Sequence, residues 1–273
     1  MLHKSLPKVV LICHEDDDID TKGLYCWLSN AMQLAGVVLI RDKPVKLLQK
    51  IRRELRRVGF FRILDVLAYR IYYKLFLARS DAVWKKSAIQ YLKAKYPCTS
   101  INTPIMITTH PDAPSVRRFL HRIQPDMVIA RCKFILAPET FNIPRFGTYV
   151  LHPGICPEYR NAHGCFWALV NRDLSRVGMT LLRVNEGVDT GPVYLQTSYD
   201  FDEVNESPLV IHYRVVIENL DAIATTLISV FHGVSHPITV TGRRSATWGQ
   251  PWLSAYFRWK LAANRTARRE VVH

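Results

Sequence analysis

Nowhere in the chain does an apolar run approach the roughly 18 uncharged residues that a membrane-spanning helix needs. Glycine (12) and proline (15) are too few for collagen-like or low-complexity sequence. The six cysteines include no C-x-x-C pair. Cys13, Cys26, Cys98, Cys132, Cys156 and Cys165 are scattered through apolar segments, which predicts buried free thiols in a reducing compartment. The first apolar run, Val9–Cys13, is shorter than an export signal requires and ends in acid, so it reads as a strand and the chain as cytoplasmic. No repeat appears at a solenoid period. What is present, 273 residues of which 48% are hydrophobic and 22% charged, suffices for one sizeable α/β domain and excludes disorder throughout.

Acid is scarce relative to base. Lys and Arg number 37 against 23 Asp and Glu, a net charge of +14. The excess is concentrated: residues 43–95 hold 15 Lys and Arg against Glu54, Asp65 and Asp81, a net +12. Within this stretch Leu47–Arg57, Phe60–Leu77 and Ser80–Lys95 read as helices, with Val58-Gly59 punctuating the first two. Leu64, Leu67, Ile71 and Leu75 form an apolar stripe with Arg62, Arg70 and Lys74 elsewhere on that helix. The expectation is a basic helical insert packed on the sheet edge with its cations outside. The alternative is a surface for an anionic membrane or nucleic acid.

The rest of the pattern is αβ. Lys8–Cys13 and Val37–Ile40 read as buried strands, with a polar loop His14–Lys22 and a helix through Leu24, Trp27, Leu28 and Met32 that Gly36 closes. Strands are expected at Ile105–Thr108, Asp126–Ala130, Thr148–His152, Val177–Val184 and Val193–Tyr199. Helices are expected at Ser115–Ile123, from Gly164 to Asn171, and as one long element over Pro208–His232. Such alternation predicts a Rossmann-like parallel sheet with helices on both faces. The domain is drawn at residues 1–235, with the basic insert at 43–95 and a short C-terminal extension at 236–273.

Two stretches carry chemistry. In Leu151–Leu169, His152 ends a strand and is followed by Pro153 and Gly154; side chains at the carboxyl ends of parallel strands face the ligand crevice. In Val177–Gln196 a strand leads through Gly187 to Asp189 and Gly191. A histidine and an aspartate from neighbouring strand ends can handle protons; they can equally be a structural histidine and a turn residue. His152, Cys156, His163 and Cys165 match no standard zinc spacing, so no metal is expected. Glu15, Asp16, Asp17 and Asp18 read as a solvated loop, or as a trap for an amine or metal.

The segments Val150-Leu151-His152-Pro153-Gly154-Ile155-Cys156-Pro157-Glu158-Tyr159, Gly178–Val184 and Asp189-Thr190-Gly191-Pro192 resemble the folate-dependent formyltransferases. So do Ile129-Ala130 and Ile135-Leu136-Ala137-Pro138 upstream. The resemblance implies an N-formyltransferase that moves a formyl group from 10-formyltetrahydrofolate to an amine of a small molecule. It implies catalytic roles for His152 and Asp189. It implies a pterin held through Leu136, Asn185, Val188 and Asp189. A tRNA acceptor is not favoured, because only about 40 residues follow the last long helix where the tRNA-directed members carry an RNA-binding barrel. Three positions depart from the family pattern: Val150 replaces an asparagine that steadies the oxyanion, Leu182 a second histidine, and Arg131 a glycine. Losing one oxyanion donor typically costs about 10²–10³ in rate. Asn161, His163 or a backbone N–H near Gly154 are candidate substitutes. Formyl-folate hydrolysis, or a non-catalytic folate- or partner-binding member of the fold, are therefore the alternatives.

Overall fold

Strand β1 (Lys8–His14) is apolar at every position from Val9 to Cys13 because both of its faces are covered. Val9, Leu11 and Cys13 enter one apolar layer, and Val10 and Ile12 the other. The computed structural model describes residues 5–42, 60–98 and 102–270. The helix expected over Leu47–Arg57 and its Val58-Gly59 break lie outside the described residues. Around β1 stand β2 (Gln33–Ile40), β3 (Ile105–Thr108), β4 (Met127–Arg131) and β5 (Thr148–His152), all parallel, in the order β3-β2-β1-β4-β5. β6 (Arg160–Asn161) leaves this sheet. β7 (Met179–Arg183) and β8 (Val193–Thr197) complete it beyond β5, giving a mostly parallel seven-stranded α/β sheet. The Rossmann-like sheet is the expected one, with one reversed strand: β7 is antiparallel to both β5 and β8. β7 and β8 form a hairpin, and a hairpin can only pair antiparallel.

Nine helices flank the sheet among the described residues: α1 (Tyr25–Ala31), α2 (Phe60–Tyr72), α3 (Ala78–Lys95), α4 (Pro114–Ile123), α5 (Pro138–Phe141), α6 (Gly164–Val170), α7 (Pro208–Ile217), α8 (Leu220–Phe231) and α9 (Leu253–Glu270). α4 covers one face with Val116, Phe119, Leu120 and Ile123 against Val10, Ile12 and Val38. The larger core on the other face gathers Trp27, Phe166, Trp167, Ile211, Leu227 and Trp259.

Several boundaries differ from the sequence expectation. The His14–Lys22 loop shortens to a turn, and a π-helical segment Ile19–Leu24 runs directly into α1. Asp17 Oδ1 starts it by accepting from the Ile19 and Asp20 amides. Gly36 does not close that helix, because Met32 is already extended and Gly36 lies within β2, paired with Val10. A Cβ at Gly36 would stand 2.6 Å from Ile123 Cδ1, so the glycine is set by the close approach of α4. The long helix expected over 208–232 breaks at Asn219. Its Nδ2 donates to the Val215 and Ser198 carbonyls, and its Oδ1 accepts from the Thr197 hydroxyl, so the helix end is tied to β8.

The basic insert is turned over relative to expectation. Ile63, Val66 and Tyr69 of α2 are buried, with Tyr69 among Phe166 and Tyr256. Leu64, Ile71 and Leu75 face solvent. The inward face is chosen by the tyrosines, whose rings bury more area than the aliphatic stripe. The C-terminal extension is not a separate body. α9 buries Ala255, Tyr256 and Trp259 in the main core, and β9 (Thr247–Trp248) pairs parallel with β6.

Cys26 and Cys98 form a disulfide, correcting the expectation of free thiols at both positions. α3 crosses the π-helical segment Ile19–Leu24, with Leu92 against Gly23, and so carries Cys98 to Cys26 of α1 across a sequence separation of 72. Denatured without reductant, the protein should titrate four thiols, those of Cys13, Cys132, Cys156 and Cys165, and six after reduction. Six in both states would remove the bridge.

Candidate active site

From β1 the chain builds outward to β2 and β3, then returns to place β4 and β5 on the other side. The reversal lies between β1 and β4, where an open sheet leaves a crevice at its carboxyl edge. His14 ends β1, Arg131 ends β4 and His152 ends β5 along that edge.

His152 is buried and both of its ring nitrogens face acceptors. Nε2 is 2.8 Å from the Tyr159 carbonyl, which only accepts, so Nε2 donates. Nδ1 lies 3.5 Å from Asp189 Oδ2. The same carboxylate oxygen accepts from the Asn161 amide at 2.7 Å. The ring is thus fixed from two sides, with a carboxylate placed to balance positive charge when Nδ1 takes a proton. Gly154 makes this packing possible. A Cβ there would stand 2.7 Å from Tyr159 O and 2.8 Å from His152 Nε2, inside the hydrogen bond itself. Three non-glycine residues around the pair, Asn161, His163 and Asp189, have positive φ (73°, 57° and 51°). Strained backbone of this kind persists only where the surroundings enforce it, and it clusters at functional sites.

The loop after β7 is braced by its own side chains. Asn185 Oδ1 accepts from the Gly187 amide at 3.1 Å and from the Thr190 hydroxyl at 2.8 Å. Arg160 donates to the Val188 carbonyl at 2.9 Å. Leu136 is buried with Ala130 and Phe141, and Cys132, Val150 and Val184 pack against them. Leu182 is buried with Cys156 and Val193 on the other side of Val150. Val150 therefore forms an apolar floor between two small clusters.

Residues outside the predicted set complete the site. Trp248 stacks on Tyr159 with ring centroids 5.6 Å apart, and its Nε1 donates to the Glu158 carbonyl at 2.9 Å. Asn161 Nδ2 donates to the Trp248 carbonyl at 2.5 Å. Arg243 holds Glu158 in a two-pronged ion pair, with nitrogen–oxygen distances of 2.8 and 2.6 Å. Thr180 accepts from the Cys156 amide and donates to the Gly154 carbonyl, fixing the turn after His152. The run of aromatic and polar residues between Thr247 and Trp252 is the one signal in the sequence that marked this strap.

Arg131 turns inward. Its Nη1 donates to the Leu151 carbonyl at 2.6 Å and its Nε meets Asp20 at 3.2 Å. Burial pushes the Asp20 carboxyl up to about 6 despite the opposing guanidinium. The acidic loop is spent locally: Glu15 pairs with Arg41, Asp18 with Lys22, and Asp17 accepts from the Tyr213 hydroxyl at 2.5 Å. Among the described residues no three His, Cys, Asp or Glu side chains converge on a metal position. His163 and His212 lie with ring centroids 6.2 Å apart. Burial holds His163 down at about 4 and His212 well below the ordinary imidazole range, so both are uncharged at neutral pH.

The family model described as formyl transferase matches residues 88–227, just over half of the chain. The chain belongs to the formyl transferase family. Methionyl-tRNA formyltransferases of Syntrophus aciditrophicus and Thermotoga neapolitana are 30% and 31% identical over 103 and 110 residues, 37% and 38% of this chain. The matched stretch covers about a third of each relative's length (33% and 35%). The fold is shared with a sugar N-formyltransferase from a Shewanella species, with a TM-score of 0.52 at 13% identity over 94% of this chain and 87% of that one. It is shared also with phosphoribosylglycinamide formyltransferase from Anaplasma phagocytophilum, with a TM-score of 0.52 at 12% identity over 91% and 100%.

Two outcomes are expected of this formyl transferase family member. Gly154→Ala should lower stability by roughly 1–3 kcal/mol, because the added methyl overpacks the His152–Tyr159 contact. An unchanged urea midpoint would show that the loop yields freely. The second concerns pH. His163 and His212 stay uncharged in the fold, so below about 6.5 the unfolded chain binds more protons than the native state. Their contribution lowers stability as pH falls from about 6.5 toward about 4. His163→Gln should flatten that part of the profile, read from denaturation midpoints; an unaltered slope would contradict it.

Proposed function

We propose that the chain is a folate-dependent N-formyltransferase, moving a formyl group from 10-formyltetrahydrofolate to the amine of a small molecule. The observation that carries this reading is the His152–Asp189 contact of 3.5 Å at the carboxyl end of β5, inside the stretch that matches the family. In such a transfer the amine nitrogen bonds to the formyl carbon and the bond from that carbon to the folate nitrogen breaks. One proton leaves the amine and one reaches the departing nitrogen. We assign the proton handling to the His152–Asp189 pair as a unit, with Asp189 opposing the positive charge when the ring takes a proton at Nδ1. Nε2 is engaged by the Tyr159 carbonyl, so this bond must lengthen if the ring is also to donate to an oxyanion.

The pterin is assigned to the wall formed by Leu136 and the Asn185–Asp189 loop, with Val188 and Asp189 at its inner end. The internal bracing of that loop supports the assignment, since a preformed backbone binds without an ordering cost. We place the reaction in the cytoplasm. No described helix is long and apolar enough to cross a membrane. The cytoplasmic placement requires Cys26 and Cys98 to be kept as thiols in the cell although the fold brings them within bonding distance, so a bridge trapped intact in rapidly alkylated cells would contradict it.

One set of observations favours a second reading, a member that binds folate or a partner without turnover. Val150 offers no donor, its neighbours are apolar, and Asn161 Nδ2 is already given to Trp248. Calorimetry with 5-formyltetrahydrofolate and a turnover assay over a panel of amines separate the readings. Binding with amine-dependent release of tetrahydrofolate supports transfer; release without amine means hydrolysis; binding alone means the second reading. No heat up to millimolar ligand would overturn every reading that involves folate. In an active protein His152→Ala should lower turnover at least about 10²-fold with folate affinity unchanged. Val150→Asn should raise it, and a loss would mean that another group already fills the donor role.

A further inference from the structure

We propose that the outward face of α2 and its π-helical continuation Tyr73–Leu77 docks on an anionic lipid surface. Leu64, Ile71 and Leu75 are spaced at helical intervals and are 54%, 61% and 70% exposed, while the opposite side of α2 is buried in the core. A helix with an apolar stripe on each side has one stripe without a partner. Phe76, 66% exposed, extends the outward stripe, and Tyr72 links it to the next helix, its ring 4.9 Å from Phe76 and 5.2 Å from Phe257. Phe257 and Leu261 of α9 are themselves exposed. The apolar area thus runs across two helices.

Charge selects the occupant. Arg70, Lys74 and Arg79 are exposed on the same helices, and Arg258, Arg265 and Arg268 on α9. Carboxylates are held away from it: Asp65 accepts from the Ser254 amide and hydroxyl, and Asp81 is buried. Residues 43–59 add seven Lys and Arg against Glu54 alone. Like charge makes that segment a poor cover for a face ringed by cations. A second copy would bring the same cations together. An anionic bilayer interface offers hydrocarbon depth for the leucines, isoleucine and phenylalanine and negative headgroups for the surrounding bases.

Co-sedimentation with phosphatidylcholine vesicles, and with vesicles of phosphatidylcholine and phosphatidylserine, tests the proposal at low and high salt. The protein should pellet with the anionic vesicles at low salt and not with the neutral ones. Partition should drop at least about tenfold in high salt, as the screening length falls from about 10 Å at 0.1 M to about 3 Å at 1 M. Ile71→Glu with Leu75→Glu should abolish pelleting, and Arg70→Glu with Lys74→Glu should weaken it. Folding of both variants is checked by thermal melts and by retained 5-formyltetrahydrofolate binding wherever the wild type binds it. Equal pelleting on neutral vesicles, or none on either, overturns the proposal. So does a dimer in light scattering that Ile71→Glu with Leu75→Glu dissolves. Binding to a nucleic acid duplex, lost in Arg70→Glu with Lys74→Glu but kept in Ile71→Glu with Leu75→Glu, overturns it as well.

Discussion

The hydrogen bond from His152 Nε2 to the Tyr159 carbonyl organises the rest of the site. It requires the turn after β5 to fold back within one side chain's reach, which Gly154 permits and Thr180 fixes from β7. With the ring held there, Nδ1 has one direction left, and Asp189 occupies it. Asp189 reaches it only because its loop is braced by Asn185 and Arg160. Tyr159 in turn lies beneath Trp248, so the C-terminal strap is a structural part of the same arrangement. A buried polar group left without its partner costs about 1–3 kcal/mol, so each link resists the loss of the next.

The same interior mixes opposed electrostatic demands. Asp20 is buried against Arg131, with Asp17 nearby, while His163 and His212 are kept uncharged a short distance away. Burial favours the neutral form of acids and bases alike, so it keeps both histidines uncharged at neutral pH and pushes the Asp20 carboxyl up to about 6.

The hydrophobic runs of β1, β4 and β5 were legible because strands covered on both faces read as unbroken apolar sequence. Direction was not legible for β7 and β8, since a buried run carries no sign of which way it pairs. The break at Asn219 depended on β8, 22 positions away, whose Thr197 hydroxyl donates to Asn219 Oδ1 while Asn219 Nδ2 donates to the helix's own Val215 carbonyl. On α2 the sequence pointed to the stripe of Leu64, Leu67, Ile71 and Leu75, but Ile63, Val66 and Tyr69 meet the core, with Tyr69 against Phe166 and Tyr256. His152 and Asp189 were named from the sequence and stand together. Arg160, Arg243 and Trp248 were not assigned to the site, because each acts through a partner 28 to 90 residues distant.

The parallel bridge between β6 and β9 joins the loop beside His152 to residues made much later in synthesis. Domains generally gain structure from the amino-terminal side as the ribosome delivers them. β1 to β5 can pair as they emerge, but Tyr159 waits for Trp248 and Glu158 for Arg243. A nascent chain therefore carries a sheet with an unfinished carboxyl edge, and the edge closes only when Arg243 and Trp248 have been delivered.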